Sequence, residues 1–127
     1  MPRPSPFTLI ESPSGAPATG ACSAALVWKD LVFVSGQGPI AGRGQVVSGS
    51  IESETELTLR NIQALLRAAG SDLDRVVRCT CYLADIADFD RFDATYRAVF
   101  AGHLPTRTTV QAGLAGIKVE IDAIAAL

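Results

Sequence analysis

The sequence predicts an α+β fold, a mixed sheet with two helices packed on one of its faces. Three observations carry that expectation. Six short β-like segments and two longer stretches with apolar stripes at helical spacing make up the chain. Their order is β-β-β-α-β-α-β-β. Strand pairs joined through single crossover helices put both helices on the same side of the sheet.

Each element follows from local chemistry. Residues 1–20 are rich in Pro, Ser, Gly and Ala around a short strand, Phe7-Thr8-Leu9-Ile10. Ala24–Trp28 and Leu31–Ser35 are β-like runs separated by Lys29-Asp30, a two-residue hairpin connection weaker than Asn-Gly. Gly36–Gly49 carries five of the eleven glycines and reads as a loop. The first helix has two candidate starts. Ser53-Glu54-Thr55-Glu56 fits a capping box, and Ser50 caps an earlier beginning. Thr55, Leu59, Ile62, Leu65, Leu66 and Ala69 form its stripe, and Gly70 is its stop.

Val76–Leu83 alternates as a strand, with Val77, Cys79, Cys81 and Leu83 expected on one face. Asp85 and Asp88 mark a turn and a cap. The second helix carries Phe89, Phe92, Tyr96, Val99 and Phe100, and Gly102-His103-Leu104-Pro105 ends it. Two strands close the chain, Arg107–Gln111 and Ile117–Ala126. In the last, Val119, Ile121, Ala123 and Ala125 face the helices, while Lys118, Glu120 and Asp122 face away. Arg107, Thr109 and Gln111 likewise share one face. The second sheet face needs either water or a subunit interface, and an interface would bring Arg107 and Glu120 into a cleft.

Composition bounds the function. A chain of 127 residues, 48% apolar and 19% charged, suits one folded domain spanning residues 1–127. The net charge is −2, and the eleven basic residues are scattered singly, so no nucleic-acid footprint is expected. No apolar run reaches the roughly 18–20 residues of a membrane span. The first fifteen residues lack the apolar stretch of a signal peptide, so a cytoplasmic location and no membrane partner are expected. The three cysteines, Cys22, Cys79 and Cys81, make no disulfide framework, and the Cys79–Cys81 pair reads as buried apolar thiols rather than a metal site.

Candidate chemistry begins with absences. The single histidine, His103, on which any Ser-His-Asp triad would wholly depend, stands in a helix-exit loop and reads as structural or surface sooner than catalytic. Gly36-Gln37-Gly38 runs into Pro39 rather than a helix and is no dinucleotide fingerprint. Arg107 and Glu120 remain, with hydroxyls at Ser35, Thr108 and Thr109. Arginine holds a carboxylate through two parallel hydrogen bonds, and a glutamate orients water or moves a proton. Equally, an Arg and a Glu on neighbouring strands commonly form a surface pair worth ~0–1 kcal/mol. Spacing alone favours that plainer reading.

Five segments carry a resemblance. They are Val34-Ser35-Gly36-Gln37-Gly38-Pro39, Leu59-Arg60-Asn61-Ile62, Ala69 through Val77, Pro105-Thr106-Arg107-Thr108-Thr109-Val110, and Val119-Glu120-Ile121. In order and spacing they resemble the RidA (YjgF/YER057c/UK114) family from about residue 20 to the C-terminus. The resemblance implies a chorismate-mutase-like (ferredoxin-like) fold assembled as a homotrimer, with a trimeric barrel of sheets and ligand clefts between subunits. It also implies cofactor-independent hydrolysis of reactive enamines and imines such as 2-aminoacrylate to 2-keto acids and ammonia. Carried over by position, Arg107 clamps the substrate carboxylate, Ser35 and Gly36 line the site, and Glu120 positions water and relays a proton.

Three positions depart from the family pattern. Cys22 stands in place of a cleft-lining Tyr, Thr109 in place of a Cys, and Asp93 in place of an Asn in the second helix. Loss of the phenol suggests a bulkier or different imine. Asp93 repels an anion unless it points away, for example towards Arg97 one turn on. A nucleophilic Cys22 lacks an evident partner base. Alternatives are a pathway-specific deaminase of the 2-aminomuconate type and a regulatory trimer that binds a small carboxylate without turnover.

Overall fold

The structure, a computed structural model, describes residues 2–14 and 19–127. Its strands are β1 (Phe7–Ile10), β2 (Ala25–Trp28), β3 (Leu31–Gln37), β4 (Ile40–Ala41), β5 (Gln45–Val46), β6 (Val76–Leu83), β7 (Thr106–Gln111) and β8 (Val119–Ala126). The helices are α1 (Ile51–Ala68) and α2 (Phe89–Phe100). Six strands form one sheet in the order β1-β2-β3-β8-β6-β7, and β4-β5 is a small separate hairpin inside the glycine-rich loop. Only the β6–β7 pair is parallel, so the sheet is mixed. This is the α+β arrangement expected from the strand and helix pattern.

Both helices cover one face. Val32 and Val34 of β3, Cys79, Cys81 and Leu83 of β6, and Val119, Ile121, Ala123 and Ala125 of β8 are buried there. Leu59, Ile62, Leu65 and Leu66 of α1 and Phe92, Tyr96 and Phe100 of α2 close over them. A fully buried Leu or Ile contributes roughly 1.5–3 kcal/mol, so the α1 stripe is a main anchor of the fold. Ser50 is the cap, accepting the Ser53 N–H at 3.1 Å, so the helix begins at the earlier of its two candidate starts. The capping box does not form, because Ser53 lies inside the helix with its hydroxyl on the Ser50 carbonyl, and Glu56 lies instead 3.8 Å from Arg60 one turn on. Past α1, Gly70 adopts φ +92°, the left-handed stop expected there. Past α2 the positive φ falls on Ala101, φ 64° and ψ −55°, rather than on Gly102.

The opposite face of the sheet is uncovered. By register it presents Phe7 and Leu9 of β1, Leu26 and Trp28 of β2, Leu31 and Phe33 of β3, and Ile124 of β8. Leu9 is 64% exposed, Phe7 47% and Trp28 38%. Beyond them lie polar residues, including Thr80, Glu120 and Asp122.

Two irregularities in pairing were not visible in the alternation. Between β6 and β8 the register shifts across Val76–Arg78. The extra residue puts Val76 in the core and leaves Val77 49% exposed, so Val77 does not share the face of Cys79 as expected. Between β3 and β8 it shifts across Val34–Gln37, which bends the strand at Ser35-Gly36 and carries it on to Gln37. At its start, β8 is shorter than expected. Ile117 and Lys118 stay outside it, because the Lys118 N–H donates to the Glu54 carboxylate at 2.9 Å.

Candidate functional site

The residues singled out from the sequence fall into two groups at different places. The first surrounds Arg107. Its partner across the parallel ladder is Cys79, and that of Thr109 is Cys81. Both cysteines are buried under the helices, so Arg107 and Thr109 point towards α2 and not onto the uncovered face with Glu120. Nη1 of Arg107 donates to Oδ1 of Asp93 at 2.8 Å. Asp93 therefore pairs across to the sheet and not with Arg97 on its own helix.

Aromatic rings enclose the guanidinium. Its centre lies 4.7 Å from the Tyr96 ring centroid, 5.4 Å from Phe89 and 5.5 Å from Phe92. These contacts attract the cation and limit its rotation. The Arg107 side chain is 20% exposed, over a depression of about 230 Å³ shared with Asp93, Arg97, Leu104 and Pro105. The Thr109 hydroxyl is buried without a hydrogen-bond partner among the described residues. Beneath lie the two core thiols. Burial raises Cys79 to about 11 and pushes Cys81 up further, and it raises the Tyr96 phenol as well. Cys79 and Cys81 are thus inert core groups at neutral pH.

The second group lies at the bend of β3. Ser35 donates its hydroxyl to the Ser23 carbonyl at 2.6 Å, and its N–H to the Ala24 carbonyl at 2.9 Å. Gly36 faces the Glu120 side chain closely. A Cβ at Gly36 would lie 3.0 Å from Cδ and 3.1 Å from Oε2 of Glu120. Only glycine lets the carboxylate lie across the strand here. Cys22 is exposed, with its sulfur 3.7 Å from the Thr19 carbonyl oxygen. Cys22, Ser35, Gly36 and Glu120 all line one cavity of about 680 Å³ that runs on past Gln37 and Asn61.

Three residues that hold this second group were not among the sequence candidates. Asn61 donates from Nδ2 to the carbonyls of Gly38 at 3.0 Å and Ile40 at 2.8 Å, fixing the loop after the bend to α1. Gln37 folds back to the Ser35 carbonyl at 3.0 Å. Glu54 accepts from the N–H groups of Lys118 and Gly49 and from the Lys118 ammonium at 3.1 Å. Burial pushes its carboxyl up, but these donors together outweigh burial and hold it below its ordinary range. Lys118 is two residues before Glu120, so Glu54 fixes the approach to that strand. A signal existed for Glu54 and Asn61, since a polar side chain beside the apolar stripe of a helix needs a partner, but none for Gln37, which follows the bend.

His103 bonds the Val76 carbonyl at 2.6 Å and closes the exit of α2. That is the structural reading of the single histidine. Among the described residues no group of three or more His, Cys, Asp or Glu is placed to hold a metal ion. No helix among them is long and apolar enough to cross a membrane.

Within one chain the two groups cannot serve one small ligand. In register Val110 lies beside Tyr82 and Tyr82 beside Glu120, so Arg107 is two strands across and three residues along from Glu120. That is roughly 14 Å between backbones, with side chains on opposite faces.

Residues 13–127 match the family described as Endoribonuclease L-PSP. The chain is 42% identical over 100 residues to the putative regulator AldR of Lactococcus lactis, covering 75% of this chain and 78% of that one. It is 41% identical over 120 residues to the 2-iminobutanoate/2-iminopropanoate deaminase of Rattus norvegicus, covering 91% and 88%. Among solved structures, E. coli TdcF with bound serine superposes with a TM-score of 0.85 at 30% identity, covering 94% of this chain and 98% of that one. With its mixed sheet and its two helices over one face, the chain belongs to the Rid family, the RidA/YjgF/YER057c/UK114 group described by the L-PSP model.

Proposed function

We propose that the protein is an imine and enamine deaminase whose site is assembled between copies of the chain, in a homotrimer. The observation that carries this reading is the separation of Arg107 from Glu120 within one chain. Each lies in its own concavity, partly exposed; that of Glu120 is lined by no cation among the described residues, and the one carboxylate lining that of Arg107, Asp93, is engaged in its ion pair with the arginine. A second copy that brings its Glu120 opposite the first copy's Arg107 completes a site with an anion grip and a base. The uncovered apolar face of Phe7, Leu9, Trp28 and Phe33 supports the same assembly, because it needs a partner surface. The rat relative's name supports 2-imino acids as the substrate class, and the serine bound by the E. coli relative supports a small carboxylate as ligand.

In this reading the substrate carboxylate takes the open edge of the Arg107 guanidinium, beside Thr109. Ser35 and Gly36 line the opposite wall with Cys22, and Glu120 holds water over the C=N carbon. The C=N group reacts as its protonated iminium: as the water oxygen bonds to carbon, Glu120 takes a proton and the π pair moves to the cationic nitrogen, giving a neutral carbinolamine. Glu120 returns that proton to nitrogen, then accepts the hydroxyl proton as the C–N bond breaks. A 2-oxo acid leaves, and ammonia with that last proton becomes ammonium. Enamines such as 2-aminoacrylate enter as their imine tautomers. No step calls for a cofactor, and free thiols at Cys22, Cys79 and Cys81 suit the reducing cytoplasm.

The test is ketone formation from 2-iminopropanoate and bulkier imines generated in situ. Acceleration that disappears in Arg107→Ala is expected. Equal rates in both proteins, for every imine tried, would remove the reading. A second reading, a carboxylate-binding regulatory trimer, draws on the relative named a putative regulator. It predicts ligand binding with no turnover.

A further inference from the structure

Asp93 changes what the anion grip can select. Among the described residues it is the one hydrogen-bond partner of the Arg107 guanidinium, which it engages through Nη1 at 2.8 Å. The rings of Phe89, Phe92 and Tyr96 lie around that guanidinium, so a ligand is left with its remaining N–H edge. A carboxylate bound there sits roughly 4–6 Å from the Asp93 carboxylate, close enough for like charges to repel strongly. At the grip itself Asp93 cancels the Arg107 charge, while Arg97, which also lines the depression, makes no ion pair with Asp93. The half-site therefore presents a neutral pair rather than a free cation.

We propose that Asp93 is a specificity-determining residue. It makes the site favour a carboxylate that carries an adjacent cationic nitrogen, an iminium or ammonium, over the bare anion of a 2-oxo acid. This inference rests on Arg107 as the carboxylate grip. Its consequence is discrimination between the two ends of the proposed reaction. The cationic nitrogen of the substrate offsets the Asp93 charge, and the carbonyl that replaces it in the product does not. The product is then held less tightly than the substrate, whereas a neutral amide at this position would hold both alike.

L-alanine and pyruvate differ only in the group on C2 and serve as stable probes. Titration calorimetry on the intact protein is expected to give tighter binding of alanine than of pyruvate. Asp93→Asn keeps an acceptor for Arg107 and is expected to tighten pyruvate about tenfold while leaving alanine no tighter. Asp93→Ser provides the same comparison if the amide variant folds poorly. Pyruvate binding tighter than alanine in the unmodified protein overturns the inference, as does an alanine-to-pyruvate ratio unchanged by either variant. Binding of neither probe overturns it together with the Arg107 grip. A preserved preference without imine turnover removes only the deaminase reading, and turnover without the preference removes only the role of Asp93.

Discussion

Replacing Gly36 by alanine tests the Glu120 half of the site without touching the Arg107 half. The added methyl carbon would lie 3.0 Å from Cδ, 3.1 Å from Oε2 and 3.2 Å from Cγ of Glu120. Carbon atoms prefer separations of about 3.5–4.0 Å, so the carboxylate must retreat by roughly half an ångström. The obstacle is a side chain, not backbone, and Gly36 does not occupy the left-handed region. Folding is therefore preserved, and the loss of chain entropy in the unfolded state offsets the crowding to within about 1 kcal/mol. A displacement near 1 Å costs about a hundredfold in rate where a group must be aligned, so half of that predicts a fall of about tenfold in kcat. Affinity for pyruvate, held through Arg107, should stay within about twofold. The assay is initial-rate ketone formation beside a thermal melt and a pyruvate titration. An unchanged kcat with an unchanged melt would refute the claim that this contact sets the position of the catalytic carboxylate.

Other consequences are more local. Ser50→Ala removes the α1 cap and should cost about 1 kcal/mol in denaturant unfolding. Glu54→Ala strands the Lys118 and Gly49 donors and should cost about 2–4 kcal/mol. Because the folded carboxyl of Glu54 lies below its ordinary 4.5, its contribution is complete above that pH and fades as pH falls through the lower folded value. An acid titration of stability should therefore flatten over that window in Glu54→Ala, and an identical slope would contradict the assignment. A thiol reagent should modify one cysteine in the native protein, Cys22, and three after denaturation. Early reaction of Cys79 or Cys81 would show that their burial is wrong.

Much of the frame was legible because apolar spacing is repetitive. The stripes of α1 and α2 and the alternation of Val119–Ala125 gave helices, strand and covered face together. What failed were features without a periodic signature. A bulge inserts one residue and reverses the parity beyond it, so Val77 read as buried and the bend at Ser35-Gly36 did not register. The face of β7 failed for another reason. Thr106–Gln111 offers no apolar row to mark its inner side, and Arg107 reaches inwards only because the aromatic stripe of α2 and Asp93 receive its charge. The residue pattern named the candidates, but their division into two groups depends on strand register, which pairing alone sets.

Whether Arg107 and Glu120 act from different copies decides the account. Arg107→Ala and Glu120→Ala chains, each inactive alone, are to be unfolded, mixed in equal amounts and refolded, with trimer mass checked by sedimentation. If each site takes its arginine from one subunit and its glutamate from the next, random assembly leaves about one site in four with both residues intact. The mixture should then recover about a quarter of the unmodified protein's imine hydrolysis. A mixed trimer that stays as inactive as its parents would place both residues in one chain's site and contradict the account.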